Sequence, residues 1–171
     1  MLIDDYDIVC EDADGDGYFN WGIKDTIFSL PIWSSYEEDG DDSDCTKGPI
    51  DEFGKLREIN PDSLETIVFT SNEEFNSPLH LLQHIVVGDD DVDVDFTITK
   101  HVYCCPGVTI TLKKGAYLYL ENGAVLENVI LNPLPGSHIV IKDGSRIKHN
   151  KAVKFQMPIG VTLEQNHGTI E

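Results

Sequence analysis

After residue 60 the chain alternates apolar and polar positions between regularly placed glycines. Three segments, Gly107–Leu118, Gly115–Leu126 and Gly136–Ile147, share the template Gly-x-x-apolar-x-apolar-x-x-Gly-x-x-apolar. A degenerate copy runs from Ile159 to Ile170. Alternation with a period of two predicts β-strands, and glycine permits the backbone angles that sharp corners need. The pattern therefore predicts short strands that turn at each glycine.

The offset between the copies that begin at Gly115 and Gly136 defines the repeat. A repeat of about 21 residues that holds two or three short strands has the size of one coil of a parallel β-helix, or β-solenoid. We therefore predict an all-β chain with a short parallel β-helix over residues 61–171. Residues 67–69, 81–87 and 92–98 are expected to form earlier, less regular coils.

Alternation also predicts which side chains face the interior. The predicted interior consists of Ile110, Leu112, Leu118, Leu120, Leu126, Ile139, Ile141 and Ile147. The predicted outward set is Thr109, Thr111, Tyr119, His138, Val140 and Lys142, with Asn122, Asn128 and Asn132 near corners.

An antiparallel β-sandwich is the alternative architecture, because short strands do not by themselves fix the direction of pairing. The dipeptide Asn122-Gly123 supports it, since Asn-Gly is typical of hairpin turns. The fixed offset between the copies favours the β-helix.

The charge of the chain is strongly acidic. Among 171 residues, 31 are Asp or Glu and 12 are Lys or Arg, for a formal net charge of -19. This balance argues against a nucleic-acid partner, whose phosphates require a basic face. No apolar run is long enough to span a membrane. Since most of the acid falls within residues 1–100, self-repulsion there favours bound cations.

The segment Glu11–Asn20 has the spacing of a calcium loop. Three aspartates fall at positions one, three and five, and Gly17 supplies the sharp turn at position six. Position twelve, where an EF-hand requires a bidentate Glu, is Ile23, which excludes a complete EF-hand and its helix pair. The candidate ligands of this loop are Asp12, Asp14, Asp16, Tyr18 through its carbonyl oxygen, and Asn20.

A second acidic cluster supplies candidates for the remaining oxygens, because calcium takes six to eight. Its members are Asp39, Asp41, Asp42 and Asp44. A disulfide between Cys10 and Cys45 would hold the two loops together and contribute roughly 3 to 4 kcal/mol by chain entropy. Other pairings that involve Cys104 and Cys105 stay open. We predict an irregular calcium-binding module over residues 1–60, against the simpler interpretation that Asp-Gly runs are solvated turns.

These segments, together with Gly48–Gly54, resemble the acidic Asp-Gly-Asp-Gly metal-binding repeats of secreted and surface multidomain proteins of gut bacteria. Some papain-like or streptopain-like proteases carry such repeats in their C-terminal regions. The resemblance implies an extracellular or cell-surface accessory module that is not itself an enzyme.

From the residues and the resemblance together, we expect a structural, spacer or adhesive role in a larger protein. The expected partners are other domains of the same chain, or surface glycans or proteins. We expect a piece of a longer chain, because Met1–Ile3 leads straight into Asp4-Asp5 without a signal peptide. We also expect the calcium module to cover the N-terminal end of the β-helix. The alternative is a carbohydrate-binding or polysaccharide-active β-helix, which an outward ladder of aromatic residues with Asp and Lys on one face would support.

The run Asp89–Asp95 is a second acidic feature. Alternation places Asp91, Asp93 and Asp95 on one strand face, which predicts either a solvated face or a second calcium site. A basic partner is absent from the neighbouring sequence.

The remaining candidates for chemistry are weak. His80 and His84 are four positions apart, but Leu81 stands where the zinc-protease motif requires Glu, so we interpret them as packed or surface histidines. A bond between the adjacent Cys104 and Cys105 would be strained. No catalytic constellation is evident in the sequence.

Overall fold

Parallel strand pairing organises the C-terminal part of the chain. The computed structural model describes residues 7–11, 20–24, 47–50, 56–58, 60 and 63–171. The chain divides into two units, Met1–Asn60 and Pro61–Glu171. The described part of the chain contains no helix that could cross a membrane.

The described strands of the first unit form two antiparallel pairs. Strand β1 (Asp7–Glu11) pairs with β2 (Asn20–Lys24), with Glu11 opposite Asn20. Strand β3 (Lys47–Ile50) pairs with β4 (Leu56–Glu58) across a register shift.

The second unit contains β5 to β17, and its described strands pair in parallel. In chain order they are β5 (Thr66–Phe69), β6 (Glu73–Phe75), β7 (Leu79–Leu81), β8 (His84–Val87), β9 (Val94–Ile98), β10 (His101–Cys104), β11 (Thr109–Leu112), β12 (Ala116–Leu120), β13 (Val125–Pro133), β14 (His138–Ile141), β15 (Arg146–His149), β16 (Thr162–Gln165) and β17 (Thr169–Ile170).

Three faces result from this pairing. Sheet A contains β5, β8, β11 and the C-terminal half of β13; sheet B contains β6, β9, β12, β14 and β16; sheet C contains β7, β10, the N-terminal half of β13, β15 and β17. Strand β13 passes from sheet C to sheet A through a register shift beside Asn128. The result is a parallel β-solenoid of about five turns, as the sequence predicts.

The alternative prediction of an antiparallel β-sandwich is wrong for this unit. The Asn122-Gly123 dipeptide, which supported that alternative, has a different explanation. Gly123 of the Asn122-Gly123 pair has φ +75°, and its N–H donates to the Asp143 carbonyl oxygen of the next coil at 3.0 Å. The dipeptide therefore forms a solenoid corner. Gly115 occupies a corner of the same kind at φ +77°, where an added Cβ would lie 2.9 Å from Asp93 Oδ1.

The interior is formed by apolar side chains that repeat from coil to coil. In sheet B, Leu118 lies between Phe96 and Ile139, and Leu120 lies between Ile98 and Ile141. The eight predicted interior residues are confirmed, with no exposed surface: Ile110, Leu112, Leu118, Leu120, Leu126, Ile139, Ile141 and Ile147. The predicted outward residues are partly exposed, which confirms the alternation.

An asparagine ladder supports the corner between sheets C and A. Asn128 has φ +59°, in the left-handed region that Asn tolerates better than most residues. Its Nδ2 donates to the Cys104 carbonyl oxygen at 2.8 Å, and its Oδ1 accepts from Asn150 Nδ2 at 2.8 Å. The prediction that Asn128 lies near a corner is confirmed. The hydrogen bond that Asn150 donates to Asn128 does not follow from the sequence pattern.

The length of the coil varies, whereas the repeat in the sequence predicts a single period. In sheet A the inward positions in register are Ile67, Ile85, Ile110 and Leu131. The sequence separation between successive positions is shortest from Ile67 to Ile85 and longest from Ile85 to Ile110. The separation from Ile110 to Leu131 equals the predicted period. The longest step includes the turn at Cys105–Val108, which the Val108 N–H closes by donating to the Cys105 carbonyl oxygen. The inward stack continues on both sides of this turn.

Replacing Leu118 by Ala should destabilise the solenoid strongly. The side chain is fully buried between two other large apolar residues, and truncation of such a leucine costs about 2 to 5 kcal/mol. Urea unfolding measures the effect. Val140→Ala, on the outward side of the adjacent strand β14, is the control and should cost less than about 1 kcal/mol. Equal losses for the two variants would contradict the assigned interior.

Candidate functional site

Most of the predicted calcium ligands lie outside the described residues. Asn20 is the first residue of β2, whereas Asp12, Asp14, Asp16, Tyr18, Asp39, Asp41, Asp42 and Asp44 fall in segments that are not described. The strands β1 and β2 precede and follow residues 12–19, which agrees with the predicted absence of EF-hand helices. Within the described ranges, no three His, Cys, Asp or Glu residues cluster closely enough to hold a metal ion. Calcium binding stays a prediction.

The outward face of sheet B gathers aromatic and charged side chains in register. One row along the solenoid axis is Asp95, Tyr117, His138 and Thr162. The neighbouring row is Thr97, Tyr119, Val140 and Glu164. Alternate residues of a strand point to the same side, so both rows face outward.

The aromatic rings of this face are nearly parallel. Tyr117 stacks on His138 with centroids 4.2 Å apart and an angle of 8° between the planes. Tyr119 lies beside Tyr117 on the same strand, with centroids 6.1 Å apart and an angle of 9°. The sequence contains a signal for the stack, because Tyr117 and His138 are separated by the predicted period.

Charged groups surround the rings. Lys142 Nζ donates to Glu121 Oε1 at 2.6 Å on the row beyond Tyr119. Burial and the carboxylate of Asp95 raise the pKa of Tyr119, with further contributions from Tyr117 and Glu164 and an opposing one from Lys142. The Tyr119 hydroxyl therefore remains protonated at neutral pH and is available as a donor.

Sheet C carries a second polar arrangement. Glu127 Oε2 accepts from His101 Nε2 at 2.9 Å and from Lys148 Nζ at 3.3 Å, so the carboxylate links three coils. Burial pushes the pKa of Glu127 upward, but the hydrogen bonds and charges of Lys148 and His101 outweigh it and hold the pKa below its ordinary value. A cleft of about 470 Å³ lies beside this group, lined by Glu127, Asn128, Lys148, His149, Asn150, Lys151, Ala152 and Glu171.

The described histidines of the candidate motifs have separate structural partners. His80 packs against Tyr103 with ring centroids 5.2 Å apart, whereas His84 Nδ1 accepts from the Thr109 N–H at 3.1 Å. His149 is buried in the last complete coil, where Nε2 accepts from the Leu131 N–H and Nδ1 lies 3.1 Å from the Asn150 carbonyl oxygen. These contacts confirm the interpretation of His80 and His84 as packed histidines.

The two adjacent cysteines differ in their bonding state. Cys105 is disulfide-bonded, and Cys104 is a free, fully buried thiol, so they are not bonded to each other. Burial raises the pKa of Cys104, which keeps the thiol protonated and unreactive. Cys10 lies in β1, but its side chain, the whole of Cys45 and the partner of Cys105 fall outside what the structure describes.

The run Asp89–Asp95 does not form one alternating strand face. Asp89 Oδ1 accepts from the N–H groups of Asp91 and Val92, which closes a turn before β9 and leaves Val92 53% exposed. Asp90 Oδ1 accepts from the Lys114 N–H at 3.2 Å, and its Oδ2 lies 3.6 Å from Lys113 Nζ. The basic residue that pairs with Asp90 therefore belongs to the next coil and not to the neighbouring sequence.

Comparison of the chain with family models, with curated proteins and with solved structures gives no match. The fold defines its class, a parallel β-solenoid with an aromatic and acidic face on sheet B.

Replacing Glu127 by Gln should lower stability at pH 7 by at most about 1 kcal/mol, as is usual for partly exposed ion pairs. Because the folded-state pKa of Glu127 is depressed, its contribution is present above its ordinary pKa and is lost as the pH falls through the folded-state value. The difference in melting temperature between wild type and variant should therefore shrink as the pH falls below about 4.3, the ordinary pKa of Glu, and disappear below the folded-state pKa of Glu127. Glu65→Gln, at an exposed carboxylate, is the control. A difference that persists at low pH would exclude the ion pair as its cause.

Proposed function

We propose that the chain is a non-catalytic, calcium-binding accessory module of a secreted or cell-surface protein, with a structural, spacer or adhesive role. The observation that supports the scaffold role most strongly is the continuous inward stack of sheet B, which runs from Phe96 through Leu118 and Ile139 to Leu163. A solenoid built this way holds its outward faces at a fixed spacing, which suits a spacer or an adhesive surface.

Calcium is the second part of this proposal. It is supported by the Asp-Gly loops at Asp12–Asn20 and Asp39–Asp44 and by the excess of acid in the first 100 residues. Divalent cations would offset the repulsion among these carboxylates. In such a module the ion would close the fold rather than act in chemistry.

Calcium should raise the melting temperature of the full chain, and chelation should lower it. An ion that binds only the folded state adds about 2.7 kcal/mol at a concentration one hundred times its dissociation constant. Asp14→Ala should reproduce part of the effect of the chelator, whereas Asp143→Asn, an exposed carboxylate on the solenoid, should not. A melting temperature that does not respond to calcium or chelator would refute the calcium proposal.

A carbohydrate-binding or polysaccharide-active role is the second candidate, and one observation favours it. Sheet B carries Tyr117, Tyr119 and His138 together with Asp95 and Lys142 on a single outward face. Aromatic rings with an apolar body and polar neighbours are the side chains on which sugar rings pack. The aromatic residues of this face, together with Asp95 and Lys142, therefore support the second candidate.

The second candidate predicts that the folded chain binds a subset of a glycan array and that binding requires sheet B. The readout is array binding followed by titration calorimetry with the oligosaccharides that bind. Release of reducing ends or of unsaturated products would separate an active enzyme from a binding module. The absence of binding to every glycan would eliminate this candidate and leave the calcium-dependent module to be judged by its melting temperature.

A further inference from the structure

The ring of Tyr119 has one face directed along the solenoid axis. Its plane is within 9° of the plane of Tyr117, which in turn stacks face to face on His138 of the next strand. A ring that is parallel to such a stack turns its faces toward the neighbouring strands. For Tyr119 the neighbours in register are Thr97 on one side and Val140 on the other.

Val140 is too short to cover the tyrosine ring. The next outward residue in the same row is Glu164 of β16. Adjacent strands are about 4.8 Å apart, so Tyr119 and Glu164 stand roughly 10 Å apart at their backbones, with the smaller valine between them. This recess, which we call the Val140 slot, has Val140 as its floor and Tyr119 and Glu164 as its walls.

The sides of the slot carry groups that can form hydrogen bonds. His138 lies on the row to one side, on the same strand as Val140, and Lys142 lies on the row to the other side. Glu164 forms one wall of the slot, whereas Asp95 of β9 lies on the other side of Tyr119, and both carboxylates act electrostatically on the Tyr119 hydroxyl. An apolar floor and ring face are thus bordered by polar groups at the rim.

We propose that the Val140 slot is a subsite for one neutral pyranose ring of a saccharide, an inference that rests on the carbohydrate-binding candidate above. The C–H face of the sugar packs on the exposed face of Tyr119 and on Val140. The sugar hydroxyls donate to Glu164 and accept from His138 or Lys142. One slot of this kind contains the features common to ligand sites, an apolar contact surface with a few polar groups that fix orientation.

The charge of the face selects a neutral sugar over a uronate. Glu74, Asp95, Glu121 and Glu164 all lie on the outward side of sheet B or at its border. Lys142 lies on the row beside the slot, and it is already hydrogen-bonded to Glu121 at 2.6 Å. A sugar carboxylate would therefore meet like charges, whereas neutral hydroxyls can donate to the carboxylates.

Aromatic stacking also stabilises β-solenoids, so the test must separate binding from stability. Tyr119 suits this purpose because its register neighbours, Thr97 and Val140, are not aromatic. Its truncation removes a ring face from the slot but does not break the stack between Tyr117 and His138. Val140→Phe is the complementary change, because it fills the slot and leaves Tyr119 in place.

The experiment measures binding of neutral cello- and manno-oligosaccharides and of oligogalacturonate to the full chain by titration calorimetry. We expect binding of a neutral oligosaccharide that weakens at least tenfold in Tyr119→Ala and in Val140→Phe, with melting temperatures close to that of the wild type. Tyr103→Ala on sheet C is the matched control, because that tyrosine faces outward on another sheet and should leave binding unchanged.

Two outcomes would overturn the inference while the carbohydrate-binding candidate survives. The first is binding that is unaffected by either sheet B variant. The second is a preference for oligogalacturonate over the neutral oligosaccharides, which would contradict the selection by charge. If no saccharide binds, both the slot and the carbohydrate-binding candidate fail, and the calcium-binding module is still judged separately by its response to chelation.

Discussion

The burial of one apolar side chain against its counterpart in the next coil is the interaction on which the solenoid depends. Leu118 illustrates it, since Phe96 and Ile139 cover it from the two sides and no surface remains exposed. Full burial of such a residue contributes about 1.5 to 3 kcal/mol, and the central coils repeat it on three faces. Each outward side chain is then positioned by the inward residue next to it. The faces of sheets B and C are consequences of this stack.

The alternation and the glycine corners could be predicted from the sequence because both arise from local chemistry. A period of two fixes which residues share a face, and Gly115 or Gly123 marks a corner by its positive φ. The variable coil length could not be predicted in the same way. The turn at Cys105–Val108 lengthens one coil, and such an insertion leaves the alternation of the strands on either side unchanged. The pairing of Asp90 with Lys113 depends on the register between coils and could not be predicted for the same reason.

In the candidate site, too, some features could be predicted from the sequence and others could not. The outward orientation of Tyr119 and His138 follows from alternation alone, and the offset between Gly115 and Gly136 also relates Tyr117 to His138. The recess over Val140 requires knowledge of which residues occupy one row across β12, β14 and β16. On sheet C, the carboxylate of Glu127 likewise finds its partners on the coils before and after its own. Chemistry between coils therefore becomes visible only when the register is known.

A solenoid separates the chemistry of its surface from the stability of its interior. Val140 and Ile139 are neighbours in sequence, yet the second is part of the stack and the first forms the floor of a recess. Substitutions on the outward rows can change charge and shape at small cost, because the inward contacts persist. The acidic face of sheet B and the cation-bearing face of sheet C, with Lys148, can thus differ within one short fold. Because of this independence, binding to one face depends on the residues of that face, and for sheet B we propose Tyr119 and Glu164.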